Sequence, residues 1–174
     1  MSLCRFRGVA MKTVSVTGAL IALACIILPA RASDDADLTR MALCQDSWLD
    51  WSKTDPAKLK AFGEHFRTNF THKANDAFTT PKAETSILGL RVSQVYPDSV
   101  GMGVGLSILV DASFDKARAV MEKSLGKKLG HCETSDGMQT CELTIAEKRT
   151  VMLMTEDGAK TKQTLVGCYY YYER

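Results

Sequence analysis

The chain contains no CxxC pair, no HExxH, no GxSxG and no apolar run of the ~20 residues that a bilayer-spanning helix needs. Each absence removes a class of function. Zinc knuckles bring their cysteines in close pairs, roughly two to four residues apart, matched by a second pair or by histidines. A thioredoxin-like redox centre needs CxxC, and a serine-hydrolase elbow needs GxSxG. Histidine is scarce as well, with three in 174 residues. Two of them, His65 and His72, are two helical turns apart, about 10 Å along a predicted helix, which is too far to share one metal. Low-complexity linkers and internal repeats are missing too, so a single domain is the economical reading.

What is present begins with an export signal. Arg5, Arg7 and Lys12 form a positive start, Val14 to Leu28 an apolar stretch, and Pro29 precedes the small-x-small site Ala30-Arg31-Ala32. Residues 1–32 are therefore expected to be a cleaved signal peptide, with Met1 or Met11 as the start and residues 33–174 as one domain. Cys25 makes a poor lipoprotein site, because Ala22-Leu23-Ala24 before it and Ile26-Ile27-Leu28 after it fit that signal badly. Four of the 22 basic residues (Arg5, Arg7, Lys12, Arg31) and none of the 20 acidic ones lie in the signal, leaving 18 against 20. The mature chain is thus slightly acidic, which argues against a nucleic-acid partner. About 142 residues suffice for one domain that buries somewhat over two-thirds of its unfolded surface.

Four cysteines survive processing: Cys44, Cys132, Cys141 and Cys168. An even number in an exported chain points to disulfides, since the destination is oxidising. Asp136-Gly137 is a strong signal for a two-residue hairpin turn, which needs positive φ at both positions. Centring the turn there puts Cys132 opposite Cys141 at a non-hydrogen-bonded pair, with Cα atoms about 4.5 Å apart. That spacing is within reach of a disulfide. Cys44 is then left to pair with Cys168. In the same register His131 lies across from Glu142, and Glu133 and Glu142 share its face.

The remaining elements follow from periodicity. Asp34 to Lys53 reads as one helix, and Asp55-Pro56 caps a second that carries Leu59, Phe62, Phe66 and Phe70. Asn69-Phe70-Thr71 is formally a glycosylation sequon, without meaning in a bacterial exported protein. Ser113 to Leu125 is a third helix, stopped by Gly126. Strands are expected over residues 86–96, 100–110, 149–156 and 163–173 besides the hairpin, with another turn at Asp157-Gly158. The expected fold is α+β: an antiparallel sheet of about five or six strands, two N-terminal helices and one inserted helix packed on one face, and two disulfides.

Two features suggest a binding surface. Gly101, Gly103 and Gly105 share one face of a period-two strand, which suits close approach by another backbone or a small-residue floor, and does not suit a phosphate loop. Tyr169, Tyr170, Tyr171 and Tyr172 alternate across a strand, and tyrosine is enriched where surfaces are partly apolar and partly wet. Met152 and Met154 share a strand face, but a methionine copper site would want more such residues clustered, so sheet packing is the expected role. The expected function is a periplasmic or secreted non-enzymatic binding, inhibitory or accessory protein, whose partner is an unknown envelope protein or small ligand. No cofactor, metal, nucleic acid or membrane span after processing is expected. The alternatives are a hydrolase-type enzyme using His131 with Glu133 or Glu142, and an envelope-structural protein. Intact-mass and N-terminal sequencing of the exported protein should return Ser33 as the first residue. A lipidated Cys25 or a retained Met11 would overturn cleavage after Ala32.

Overall fold

The computed structural model describes residues 34–96, 99–100, 103–156 and 162–171. The chain divides into two compact units, Met1–Ala30 and Arg31–Arg174, and the described residues belong to the second. The expected signal peptide, Gly101, the Asp157-Gly158 turn and Tyr172 lie outside them.

The first expected helix is two. Helix α1 spans Ala36–Ala42 and α2 spans Trp48–Thr54, capped by the side chains of Asp35 and Ser47 respectively. Between them Cys44 turns left-handed, with φ of 56°. A continuous helix would carry Cys44 past the sheet, whereas the turn aims it at Cys168. Asp46 fixes the break from inside. It accepts hydrogen bonds from Trp51 Nε1 at 2.7 Å, Lys58 Nζ at 2.7 Å and Arg40 Nε at 3.2 Å. Burial alone would raise the Asp46 pKa, but bonds from Lys58, Trp51 and Arg40 outweigh it and hold the carboxyl below its ordinary value.

Helix α3, Pro56–Asn69, starts as expected, with Asp55 Oδ1 accepting from Lys58 N at 3.0 Å and proline in the first turn. It ends one residue short of Phe70, which opens strand β1 and is buried. The expected stripe still holds together, because Phe70 folds back to stack on Phe66 at 4.3 Å and Phe62 meets the edge of Trp51 at 5.6 Å. Helix α4, Phe114–Leu125, ends on Gly126 in the left-handed conformation, as its sequence implies. Glu122 closes this end by accepting from Arg118 at 2.9 Å, Lys128 at 3.0 Å and the Leu129 amide at 3.1 Å. Those bonds, Arg118 foremost, pull its pKa down to about 2.

The sheet is larger than expected, with ten strands among the described residues. They are β1 (Phe70–His72), β2 (Thr79–Pro81), β3 (Ser86–Ile87), β4 (Leu90–Tyr96), β5 (Ser99–Val100), β6 (Gly103–Val110), β7 (His131–Ser135), β8 (Met138–Ala146), β9 (Arg149–Glu156) and β10 (Thr164–Tyr171). The main path runs β1-β2-β4-β6-β10-β9-β8-β7 through antiparallel pairs, with β3 beside β4 and β5 beside β6. The expected strand over 86–96 is divided by a tight turn at Leu88 and Gly89, both with positive φ. Leucine is a poor tenant of that conformation, so nothing in its side chain announces the turn. The short pair β1 and β2 was equally hidden, since three-residue strands show no alternation to read.

The 131–145 hairpin follows its expected register. Asp136 and Gly137 both have positive φ, and Cys132 faces Cys141 with Cα atoms 4.1 Å apart. The second bridge joins Cys44 to Cys168 across 124 residues. Cys141 and Cys168 are buried, whereas Cys132 on the edge strand is exposed. Leu106, Ile108, Val110, Val151, Leu153 and Val166 line the same sheet face as Cys168, and Leu38, Met41, Phe114, Ala117 and Met121 from α1 and α4 join them in one apolar cluster. Each large aliphatic side chain fully withdrawn from water there contributes about 1.5–3 kcal/mol.

On the chain-entropy account, closing a loop of ~10 residues contributes about 3 kcal/mol and one beyond ~100 residues nearer 5. Replacing Cys44 and Cys168 together with alanine should therefore cost more stability in urea titration than replacing Cys132 and Cys141. A larger loss from the hairpin pair would show that its bridge does more than close a short loop.

Candidate functional site

The helices α1 and α4 cover one face of the sheet, and the other face presents its own rows of side chains. Strand alternation places Ser107, Leu109, Met152, Met154, Leu165 and Tyr169 there, opposite the core residues. Leu109 pairs with Leu165, which pairs with Met154, so three large apolar side chains form one row across β6, β10 and β9. All three are part-exposed, as is Met152 in the next row.

Toward the other end of this face the surface is closed. Tyr169 pairs with Gly105, and its hydroxyl lies 2.7 Å from Ser107 Oγ, two residues along the neighbouring strand. The phenol thus lies along the sheet instead of standing out from it, and Tyr169 and Ser107 are 3% and 1% exposed. The glycines make this possible. A Cβ on Gly105 would run into the Cys168 carbonyl oxygen, and one on Gly167 into the Leu106 carbonyl oxygen. Strands β6 and β10 are therefore closer here than side chains would tolerate. Beyond them Tyr96 packs on Phe78 at 5.6 Å, and burial raises its pKa.

The structure brings some of the sequence-selected residues together and separates others. Tyr169 meets Gly105, and Tyr171 pairs with Gly103. Tyr170 belongs to the opposite, helix-covered face, where its hydroxyl donates to the Asp46 carbonyl at 3.1 Å and Arg149 lies over its ring at 5.2 Å. Burial raises the Tyr170 pKa, opposed by a hydrogen bond from Ser47. Tyr169 and Tyr170 therefore cannot serve one contact surface. The apolar row was missed because Leu109, Met154 and Leu165 are distant in sequence. They meet only because β10 inserts between β6 and β9.

The hairpin edge is open. His131 Nε2 is 3.7 Å from Glu133 Oε2, and their side chains are 75% and 62% exposed. A second histidine is more constrained. In a cleft of about 410 Å³ lined by Asp34, Asp35, Asp37, His65, Asn69 and Glu84 among others, His65 Nε2 is 2.7 Å from Asp35 Oδ2. Its Nδ1 is 3.0 Å from Asn69 Nδ2, which also donates to the His65 carbonyl at 3.0 Å. Asp35 Oδ1 caps α1, so this triad fastens the end of α3 to the start of α1. Thirty residues separate Asp35 from His65, and no spacing rule connects them.

Gly105→Ala should cost about 3 kcal/mol in urea titration, the upper range for forcing extra atoms into a packed site. Tyr169→Phe, which removes one buried hydroxyl, should cost about 1–2 kcal/mol. A smaller loss for Gly105→Ala than for Tyr169→Phe would mean that β6 and β10 can separate freely. No protein-family model, curated protein or solved structure matches this chain, so no relative supplies a function for this face.

Proposed function

We propose that this chain is an exported, non-enzymatic binding protein of the periplasm or extracellular space, and that the open sheet face receives its partner. The observation that carries the reading is the part-exposed row Leu109, Leu165 and Met154, on the face that α1 and α4 leave uncovered. Adjacent apolar side chains rimmed by polar ones characterise contact surfaces, whereas single exposed ones are ordinary. Two disulfides fit an oxidising destination, and no helix among the described residues is long and apolar enough to cross a membrane.

The partner surface therefore shifts from the tyrosine run to the leucine and methionine row. Tyr169 and Gly105 act as its floor, setting the curvature and spacing of β6 and β10. The geometry gives less support to a hydrolase. His131 and Glu133 stand in solvent, where a carboxylate orients a histidine weakly. Both ring nitrogens of His65 are already engaged.

The test is affinity capture from an envelope extract, with crosslinking, of wild type against a Leu109→Ser/Leu165→Ser double variant. A Lys123→Ser/Lys127→Ser variant near the end of α4 is the control. The double variant should lose a discrete captured species at least tenfold while keeping native circular dichroism and both disulfides, and the control should retain it. Equal capture by a folded double variant would remove this face from the function.

A further inference from the structure

The two disulfides differ in what can reach them. Cys44 and Cys168 are 3% and 1% exposed, at the joint between α1 and the centre of the sheet. Cys141 is fully buried and belongs to the apolar cluster, but its partner Cys132 is exposed. Strand β7, which carries Cys132, forms one edge of the sheet, and all five of its residues are exposed. Among the described residues its one strand neighbour is β8, and none of its side chains is buried in the core. What holds β7 is chiefly its ladder to β8 and a single covalent bond.

We propose that Cys132 is a site of thiol–disulfide exchange with an external dithiol of the CxxC kind, and that exchange there unlatches β7 while Cys44–Cys168 stays closed. An attacking thiolate must reach a sulfur of the bridge, so access decides which bridge reacts and at which sulfur. Of the four bridged cysteines, Cys132 alone is exposed. The attacking sulfur bonds to Cys132 Sγ, the S–S bond breaks, and the electron pair leaves on Cys141 Sγ, which takes up a proton. A monothiol stops there and is reversed, because the ladder holds Cys141 beside the mixed disulfide at a high effective concentration. A dithiol goes on. Its second thiolate attacks its own sulfur in the mixed disulfide, which closes the dithiol's internal disulfide and releases Cys132 as a thiolate that is then protonated. Two electrons pass from the dithiol to the bridge, and both cysteines end as thiols. Cys132 Sγ lies 3.8 Å from the Leu129 carbonyl oxygen, so the released thiol has an acceptor in reach of its weak S–H donor.

The register makes the consequence readable amide by amide. Counting from the turn, 135/138, 133/140 and 131/142 are the hydrogen-bonded pairs of the hairpin, so the amides of Met138, Thr140 and Glu142 point at β7. Those of Gln139, Cys141 and Leu143 point the other way, at β9. Opening the bridge frees the first set and spares the second, because β9 is anchored by the buried side chains of Val151 and Leu153.

The test uses the purified, disulfide-bonded mature protein in native buffer, with dithiothreitol as the dithiol. Samples are quenched with acid at intervals, alkylated and mapped by peptide mass spectrometry. Cys132 and Cys141 should appear as thiols at least tenfold faster than Cys44 and Cys168. Glutathione at the same thiol concentration should open the hairpin bridge at least tenfold less. At the stage when only that bridge is open, hydrogen exchange should be at least tenfold faster at Met138, Thr140 and Glu142 and unchanged at Gln139, Cys141 and Leu143. A Cys132→Ser/Cys141→Ser variant should show the same exchange pattern without reductant. Reduction of both bridges at one rate, earlier opening of Cys44–Cys168, or opening that keeps pace with global unfolding in urea would each overturn the site. Equal opening by glutathione would overturn the dithiol class, and equal exchange of the two amide sets would overturn the latch. Partner capture through Leu109 and Leu165 is measured without reductant, so either conclusion can fail without the other.

Discussion

The Cys44–Cys168 bridge is the constraint from which most of this architecture follows. It joins the end of α1 to the core-facing side of β10, a strand at the centre of the sheet. To reach that sulfur, the chain leaves its helix at Leu43 and turns left-handed at Cys44. The loop that results sets Asp46 among Arg40, Trp51 and Lys58, and puts its carbonyl over the Tyr170 hydroxyl. A covalent bond, a part-buried carboxylate with three donors, and a half-buried tyrosine on the helix-covered face thus hold one joint. The carboxylate is stabilised in its charged form, so its contribution is present above its unfolded pKa and fades as pH falls through the lower folded value.

That joint decides which face of the sheet is core and which is free. With α1 locked against Cys168 and α4 packed on β9 and β10, the alternation of every central strand is assigned. Leu106, Val151, Leu153 and Val166 turn inward, and Leu109, Met152, Met154 and Leu165 turn outward. The glycines of β6 and β10 then acquire a specific duty. They let two strand backbones approach closely under the flat ring of Tyr169, so part of the outer face is sealed by its own tyrosine and the rest stays open.

Local chemistry was legible wherever a single residue type dictates a backbone geometry. Asp136-Gly137 implied its turn, and the turn implied the Cys132–Cys141 bridge by counting. Asp55-Pro56 marked the start of α3, and Gly126 the end of α4. Legibility failed where tertiary forces overrode local preference. The helix stripe from Leu38 to Leu49 runs unbroken in the sequence, yet the chain breaks there because a disulfide and Asp46 demand it. Leu88 adopts positive φ without any of the residues that usually mark such a turn. Strands β1, β2 and β3 are too short to carry a period.

The sequence by itself determined the disulfide pairing, the hairpin register, the α+β class and the alternation of each long strand. These depend on contacts close along the chain, or on cysteine arithmetic that leaves one partner for Cys44. Only the tertiary structure decided which strands are neighbours. By inserting β10 between β6 and β9 it put Leu109 beside Leu165 and Leu165 beside Met154, and by stacking β7, β8 and β9 it aligned His131, Glu142 and Met152. Strand order is set by how the whole apolar surface is buried at once. No window of residues carries that information, and the surface available for binding therefore emerges only when the sheet is assembled.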